Sequence, residues 1–375
     1  MKIIATADVH LGMKFSSYAA NQAELAEERF RALERVVEQG NELQADVLVV
    51  AGDLFHRVRV AAAIVERAAR ILSAFDGSVT LVLPGNHDFL APDGDRLWSH
   101  FREAAGDRTV VLDRAGSFDL SLYDLPVTVL AAPCDAQHGS AHRLAWARDF
   151  SRPPGHLAVG VAHGSVSGLT LDSEGHYFPM DKGLLGSLDA DVWLVGHTHR
   201  PHDERDARLV VPGTPEADGF DCPVLGGAAL VTLESARTGG APATYAAEFV
   251  STGRFRFVER SVTVHDPAGE RTADELAAEV TATIPDGEPL VRLAVDGTLA
   301  DESFERWNEL RARLLADQRI LRVDDERLER VLSRADVDRR FAAGSFAHRL
   351  LSRLVDDNDH DALAEALSII EETRS

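Results

Sequence analysis

The sequence predicts a mixed α/β protein in which a larger first domain precedes a smaller α+β domain. In the first half of the 375 residues, short apolar runs alternate with segments of helical periodicity, which is typical of α/β proteins. From about residue 208 the pattern is strand-rich, and these strands are predicted to form a second sheet that completes a layered core. The polar segment HDPAGERTAD marks a boundary near residue 265, so the predicted domains are 1–264 and 265–375.

The elements of the first half follow one another in a regular order. MKIIATAD is a predicted buried strand, ADVLVVAGD a second strand and VAAAIVERAARILSAF a second helix. Between the two strands, residues 19 to 43 have a helical period whose apolar side is formed by Leu25, Phe30, Leu33, Val36 and Val37. Further strands are predicted at SVTLVLPGNHD, VTVLAAP, HLAVGVAHG and ADVWLVGHTH. Polar residues follow these strands at their carboxyl ends, the edge where open α/β sheets bind ligands.

The second half begins with three strand segments, ARLVVPG, GAALVTLES and ATYAAEFVSTGRFRFVERSVTV. After the boundary come a helix start at TADELAAEV, a strand at PLVRLAVDG and a run of helices. One apolar helix face is formed by Phe304, Trp307, Leu310 and Leu314. A second is formed by Phe346, Leu350, Leu351 and Leu354. We expect the second face to be core, with docking of a partner as the alternative.

The composition indicates a soluble, cytoplasmic protein. No apolar run could span a bilayer, and MKIIATADVHLG lacks the unbroken apolar stretch of a signal peptide. Cys134 and Cys222 lie far apart without CxxC spacing, which disfavours a disulfide framework or a sulfur-bound zinc site. The net charge of −22 is unfavourable for binding DNA unless metal ions or a partner subunit supply positive charge.

Five motifs at predicted strand ends carry the chemistry. They are Asp8-Val9-His10, Gly52-Asp53, Gly85-Asn86-His87-Asp88, the His163 of AHG, and Gly196-His197-Thr198-His199. Their carboxylate, amide and imidazole donors suit manganese, iron or zinc and disfavour copper(I) or iron–sulfur chemistry. Residues two apart on an extended strand end point the same way, so each D-x-H or H-x-H pair can approach one metal cluster. Each motif alone could be a turn or an ordinary histidine, but their joint occurrence at strand ends favours a metal site.

The donors are more numerous than one ion requires, so two ions that share a carboxylate are predicted. The donors are Asp8, His10, Asp53, Asn86, His163, His197 and His199. Two neighbouring divalent ions lower the pKa of a water between them and hold the oxygens of an in-line phosphoryl displacement. By formal counting, two divalent ions with the two aspartates and a hydroxide leave a charge of about +1, which attracts a phosphate diester.

The series DxH, GD, GNHD, H and GHxH, within residues 1 to about 215, resembles the calcineurin-like metallophosphoesterase superfamily. The resemblance implies a two-sheet β-sandwich flanked by helices, with the site at the strand ends and a small α+β capping domain after residue 265. It implies that one ion is held by Asp8, His10, Asp53 and His199. The other would be held by Asp53, Asn86, His163 and His197, so that Asp53 bridges the two ions.

The GNHD motif contributes one histidine that is not a metal ligand. By the same resemblance, His87 is the general acid that protonates the leaving oxygen, and Asp88 orients its imidazole. This division of roles is chemically reasonable because a histidine without a metal can titrate near neutral pH.

Three segments resemble the SbcD family of DNA-repair exonucleases: IIATADVHLGMKF, GDLFHRVRV and PGTPEADGFD. His56 stands where some members place a histidine linked to exonuclease action, although a supporting or surface role is an equal alternative. The resemblance implies a manganese-dependent DNA exonuclease that could also cut internally, an SMC-like coiled-coil ATPase partner and a homodimer. Helices around residues 58–75 and 93–105 are predicted dimer faces.

Two other functions fit the same residues. One is a small-molecule phosphodiesterase or nucleotidase of the same superfamily, in which the C-terminal segment forms a specificity lid. The other is a scaffold that binds DNA ends for an ATPase and has lost its chemistry. The complete set of seven donors plus His87 argues against the scaffold, because an inactive site has no chemical need for all eight residues.

Overall fold

The computed structural model describes residues 1–18, 20–91, 96–234, 243–285, 288–357 and 359–373. The chain divides into two compact units, Met1–Arg256 and Phe257–Ser375. The boundary predicted near residue 265 lies at the carboxyl end of the strand Arg256–Asp266. Residue 19, where the first predicted helix begins, lies outside the described residues. Within the described ranges, no helix combines the length and apolar character that crossing a bilayer requires.

The first unit contains two six-stranded sheets. The first sheet is formed by β1 (Lys2–Thr6), β2 (Val47–Ala51), β3 (Val79–Leu83), β4 (Thr109–Val111), β11 (Gly227–Leu233) and β12 (Tyr245–Ser251), in the order β12-β11-β1-β2-β3-β4. The second is formed by β5 (Gly116–Asp119), β6 (Val127–Ala132), β7 (Leu157–His163), β8 (Val192–Gly196), β9 (His202–Glu204) and β10 (Leu209–Val211), in the order β5-β6-β7-β8-β10-β9. The central strands β1 to β4 and β6, β7, β8 and β10 run parallel, so their carboxyl ends lie at one edge of each sheet.

Helices cover the outer faces of both sheets. They are α1 (Gln22–Glu42), α2 (Ala62–Ser73), α3 (Arg96–Ala105) and α4 (Lys182–Ser187), with short 3₁₀ turns at Ser121–Tyr123, Ala145–Asp149 and Arg205–Ala207. One apolar cluster fills the space between the sheets and includes Ile3 of β1 and Val129 of β6. A second cluster joins the first sheet to α1, α2 and α3, and a third joins the second sheet to α4. The predicted two-sheet sandwich flanked by helices is confirmed.

The prediction for the strands beyond residue 208 is wrong in part. β10 lies in the second sheet, but β11 and β12 extend the first sheet, where β11 pairs antiparallel with β1 and places Val231 opposite Ile3. The last predicted segment contains two strands, β12 and then β13 (Arg256–Asp266), which lies in a third sheet. An alternating pattern shows that a segment is extended and has one buried face, but it does not identify the partner strand.

The described residues of the second unit form a three-stranded sheet and five helices. The strands have the order β13-β14-β15, with β14 (Pro289–Ala300) parallel to β15 (Ile320–Val331). The helices are α5 (Ala273–Thr281), α6 (Asp301–Ala316), α7 (Arg334–Arg340), α8 (Phe346–Asp356) and α9 (His360–Glu372). Trp307, Leu310 and Leu314 of α6 are buried against the sheet, as predicted for that helix face. On α8, Leu351 is buried but Phe346 is 71% exposed, so the second predicted face is only partly core.

The packing of α1 on the first sheet gives a direct test of the fold. Leu33 is fully buried in the cluster that joins α1 to this sheet, so we expect Leu33→Ala to lower the free energy of unfolding by about 2–5 kcal/mol. The control is Leu122→Ala, which removes a side chain that is 92% exposed and should change stability by less than about 0.5 kcal/mol. Urea unfolding midpoints measure both effects, and equal midpoints for the two variants would contradict this packing.

Candidate metal centre

The five predicted motifs meet where the carboxyl ends of β1, β2, β3, β7 and β8 lie together. His163 is the last residue of β7, and His197 directly follows β8. Asp8 and Asp53 each lie two residues beyond their strands, and the Asp8 amide donates to the Gly52 carbonyl at 3.1 Å. The seven predicted donors are therefore brought together from both sheets, and five of them (Asp8, His10, Asp53, Asn86 and His163) are buried.

Four of the seven donors have a left-handed backbone conformation that non-glycine residues rarely adopt. The φ angles are +54° for Asp8, +50° for His10, +55° for Asp53 and +96° for His197. Each such residue costs on the order of 1–3 kcal/mol and persists only where surrounding contacts impose it. The turns after the strands are thus held in one geometry by the fold.

Asp53 lies at the centre of this group. Its Oδ2 atom is 3.3 Å from His163 Nε2 and 3.8 Å from His10 Nε2, and its Oδ1 atom accepts the His87 amide at 2.8 Å. Burial disfavours the charged form of Asp53, but the neighbouring His163 and His10 outweigh burial and hold its pKa well below the usual range. A carboxylate that contacts both histidines has the position expected of a shared ligand.

The position of the His163 ring requires glycine at two positions of the motifs. Its Nδ1 atom donates to the Ala51 carbonyl at 2.9 Å, which directs Nε2 toward the Asn86 Oδ1 atom at 2.9 Å. A Cβ atom on Gly52 would lie 2.0 Å from His163 Nδ1, and one on Gly196 would lie 2.8 Å from the same atom. These glycines leave the space that the imidazole occupies. Burial opposes protonation of His163, but Asp53 raises its pKa to about 9.

The two histidines of the GHTH motif have different partners. The His197 amide donates to both carboxylate oxygens of Asp8 at 3.1 and 3.0 Å, and its Nδ1 atom lies 3.2 Å from Asn86 Oδ1. The His199 Nδ1 atom donates to Asp218 Oδ1 at 3.1 Å. Burial lowers the pKa of His199, but Asp218 outweighs this effect and raises it to about 10.

The predicted role of Asp88 is not what the structure shows. The two oxygens of this buried carboxyl group accept the Gly85 amide at 2.7 Å and the Phe55 amide at 2.9 Å. The partner of the His87 imidazole is instead the His56 carbonyl, 3.2 Å from Nδ1. Asp88 therefore holds the two loops that carry Asp53 and His87. Burial and the neighbouring Asp53 raise the pKa of Asp88 to about 8.

His56 lies inside the site rather than on the distant surface. Its ring is stacked on His87, with the ring centroids 5.3 Å apart, and is 5.4 Å from the His10 centroid. Burial, followed by the charge of His87, lowers the pKa of His56 to about 4. This geometry excludes an isolated surface histidine, and it is compatible with both the exonuclease-linked role and a supporting role.

The donor set fits divalent metal ions. Within the described ranges, three groups have ligand atoms within 4.8 Å of one another: Asp8, His10 and His199; Asp8, Asp53 and His163; and His10, His56 and His87. Among the described residues, His10 Nδ1 and His56 Nδ1 are buried ring nitrogens without a hydrogen-bond partner. Carboxylates and imidazoles that converge in a buried pocket, with two orphaned ring nitrogens, are the chemistry that a bound cation satisfies.

Two residues that the sequence did not single out complete the site. Arg29 of α1 is 1% exposed and contacts the turn after β1, and Asp218 contacts His199. Arg29 could have been noticed, because it interrupts the apolar side of α1 midway between Leu25 and Leu33. A charged residue at such a position indicates a buried ion pair. Asp218 gives no comparable signal in the sequence.

The chain is similar to several known proteins, and its family match agrees with this arrangement. The family model of the calcineurin-like phosphoesterases matches residues 1–201. The chain is 36% identical over 231 residues to the DNA double-strand break repair protein Mre11 of Archaeoglobus fulgidus, covering 58% of this chain and 50% of that protein. It is 26% identical over 315 residues to the Mre11 protein of Methanopyrus kandleri, covering 75% and 62%. The chain thus spans less than two thirds of either relative. The calcineurin-like phosphoesterase YfkN from Bacillus subtilis is 15% identical, with a TM-score of 0.38 over 67% of this chain and 90% of that one.

Proposed function

Since the chain belongs to the calcineurin-like phosphoesterase family, we propose that it is a manganese-dependent DNA exonuclease of DNA end processing and repair. The observation that carries this proposal is the convergence of Asp53 and the six other candidate donors in one pocket, with His87 beside them. The choice of DNA as substrate is supported by the two relatives named as double-strand break repair proteins. The same site could also cut DNA internally.

In this proposal the seven donors form two ion positions. One ion is held by Asp8, His10, Asp53 and His199, and the other by Asp53, Asn86, His163 and His197. Two bound divalent ions would activate a water and stabilise the negative charge that develops on the phosphate. The proposed sharing of Asp53 is supported by its Oδ2 atom, which lies 3.3 Å from His163 Nε2 and 3.8 Å from His10 Nε2. The hydrogen bond from the His197 amide fixes Asp8 in the same pocket.

His87 is the proposed proton donor to the departing sugar oxygen. With Nδ1 donating to the His56 carbonyl, the other ring nitrogen, Nε2, remains for the substrate. The ring is also held by stacking on His56. His87 is half-buried, so a bound phosphodiester can reach it from solvent. These contacts fix the ring orientation, which general acid catalysis requires.

The proposed partners are DNA, an SMC-like coiled-coil ATPase and a second copy of the chain. The predicted dimer faces correspond to α2 and α3, although residues 93–95 of the second segment lie outside the described residues. The net charge of −22 favours the rival function, a small-molecule phosphodiesterase, because an acidic surface repels DNA. The names of the two relatives favour the nuclease. Comparing DNA with a small phosphodiester as substrates distinguishes the two functions.

The first experiment compares two substrates in the presence of manganese. We expect the protein to release nucleotides from end-labelled linear duplex DNA and to lose this activity when a chelator removes the metal. A chromogenic small diester, bis(p-nitrophenyl) phosphate, serves as the parallel substrate. Brisk hydrolysis of the small diester without degradation of DNA would overturn the nuclease proposal in favour of the small-molecule enzyme.

A further inference from the structure

The side chain of His199 is oriented from outside the set of predicted donors. Its Nδ1 atom donates to Asp218 Oδ1 at 3.1 Å, and the side chain of Asp218 is only 7% exposed. The second oxygen of Asp218, Oδ2, lies 3.5 Å from Arg29 Nη2. Both oxygens of this carboxylate are therefore engaged, one by the histidine and one by the guanidinium group.

Arg29 ties this carboxylate to the turn that carries Asp8 and His10. Its guanidinium group donates to the Val9 carbonyl at 2.5 Å and to the Asp8 carbonyl at 3.0 Å. It also donates to the Glu216 carbonyl at 3.2 Å, in the loop that also carries Asp218. The buried guanidinium group of Arg29 thus connects the turn after β1 with the loop that follows the GHTH motif and β10.

The turn and the loop also contact each other directly. The Thr214 hydroxyl lies 2.9 Å from the Asp8 carbonyl and 2.8 Å from the Glu216 carbonyl. The Gly213 carbonyl accepts the Ala7 amide at 3.1 Å. The loop that carries Asp218 is therefore attached to the turn without Arg29 or Asp218. The contact that depends on Asp218 itself is the one with the His199 side chain.

At the second proposed ion position, no carboxylate of the described residues plays this part for His163. The outer nitrogen of His163 donates to a backbone carbonyl, that of Ala51, at 2.9 Å. A carboxylate partner makes a ligating imidazole more basic than a carbonyl partner does, and it also fixes the ring orientation. The two positions therefore differ in the groups behind their histidines.

We propose that Asp218 and Arg29 are positioning residues that selectively strengthen metal binding at the position held by His199, so that the two ion positions have unequal affinities. This inference rests on the proposed two-ion site. Asp218 acts by accepting a hydrogen bond from His199 Nδ1. Arg29 acts by keeping Asp218 and the turn after β1 in fixed relative positions. Neither side chain is a metal ligand in this arrangement.

The test is calorimetric titration of manganese into the metal-free protein. We expect wild type to bind two ions, and Asp218→Asn, which keeps the shape but removes the charge, to weaken one binding event by about 10–100-fold while the other stays unchanged. Arg29→Lys should weaken the same event, because a lysine cannot make all of these contacts at once. The matched control is Asp191→Asn, since Asp191 is a buried aspartate paired with Arg152 at 2.7 Å, and it should leave both affinities at the wild-type values.

Three outcomes would overturn this assignment. Unchanged binding in Asp218→Asn would remove the role of the carboxylate, and equal weakening of both events would indicate general loosening of the pocket. Recovery of activity provides a second measurement: excess manganese should restore most of the activity of Asp218→Asn, and failure to do so would also contradict a role in affinity. If wild type itself binds no ion, the proposed function fails first, so the two failures are distinguishable.

Discussion

Replacing His87 by alanine is expected to lower kcat on DNA by about 10²–10⁴-fold, the usual contribution of a general acid. The variant should still bind both ions, because the contact between His87 and Asp53 uses the backbone amide, which alanine retains. What is lost is the imidazole held by the His56 carbonyl. Single-turnover cleavage of end-labelled duplex DNA measures the loss, and manganese titration confirms that the ions remain.

The identity of the leaving group separates an acid from a structural residue. A sugar oxygen leaves poorly without a proton, whereas p-nitrophenolate leaves readily without one. The His87→Ala loss should therefore be much smaller with bis(p-nitrophenyl) phosphate than with DNA. Equal losses on both substrates would contradict the acid role. His156→Ala is the matched control, because His156 precedes β7, at the strand end opposite the site, and this change should leave both rates unaffected.

The positions of the donors were largely predictable because each lies at or just beyond the carboxyl end of a strand. Parallel strands place their carboxyl ends at one edge, so the five motifs were expected to meet, and they do. For the D-x-H pair, however, the expected extended backbone is wrong, because Asp8 and His10 both have φ near +50°. Such a conformation is set by contacts such as those of Arg29, which local sequence does not reveal.

The features that could not be predicted are contacts between distant parts of the chain. Whether β11 pairs with β1 or joins the second sheet depends on which sheet edge is free, and an alternating pattern is the same in both cases. The partner of the His87 ring is the His56 carbonyl, 31 residues away in sequence. This contact depends on how the loops after β2 and β3 meet. The hydrogen bond from Arg29 to the Glu216 carbonyl joins residues 187 apart, and the sequence does not predict it. Only the apolar helix face around Arg29 indicated that this residue is unusual.

Asp53→Asn tests the shared position and is expected to lower activity by on the order of 10³-fold or more. An amide keeps the size of the side chain but removes the negative charge that both ions would use, and metal catalysis of this kind contributes several kcal/mol. The structure supports the choice of residue, since Asp53 Oδ2 contacts both His163 and His10. Asp8, by comparison, lies 4.0 Å from His163 Nε2.

Thermal unfolding with and without manganese gives a readout that is independent of catalysis. An ion that binds only the folded protein stabilises it by about 2.7 kcal/mol when its concentration is 100 times Kd. We expect this stabilisation in wild type and in the control Asp113→Asn, where an exposed aspartate is paired with Arg102 at 2.8 Å. It should be absent in Asp53→Asn. A full manganese-dependent shift in that variant would show that Asp53 is not shared by the ions, and the pocket would then hold its metal through the histidines, Asn86 and Asp8.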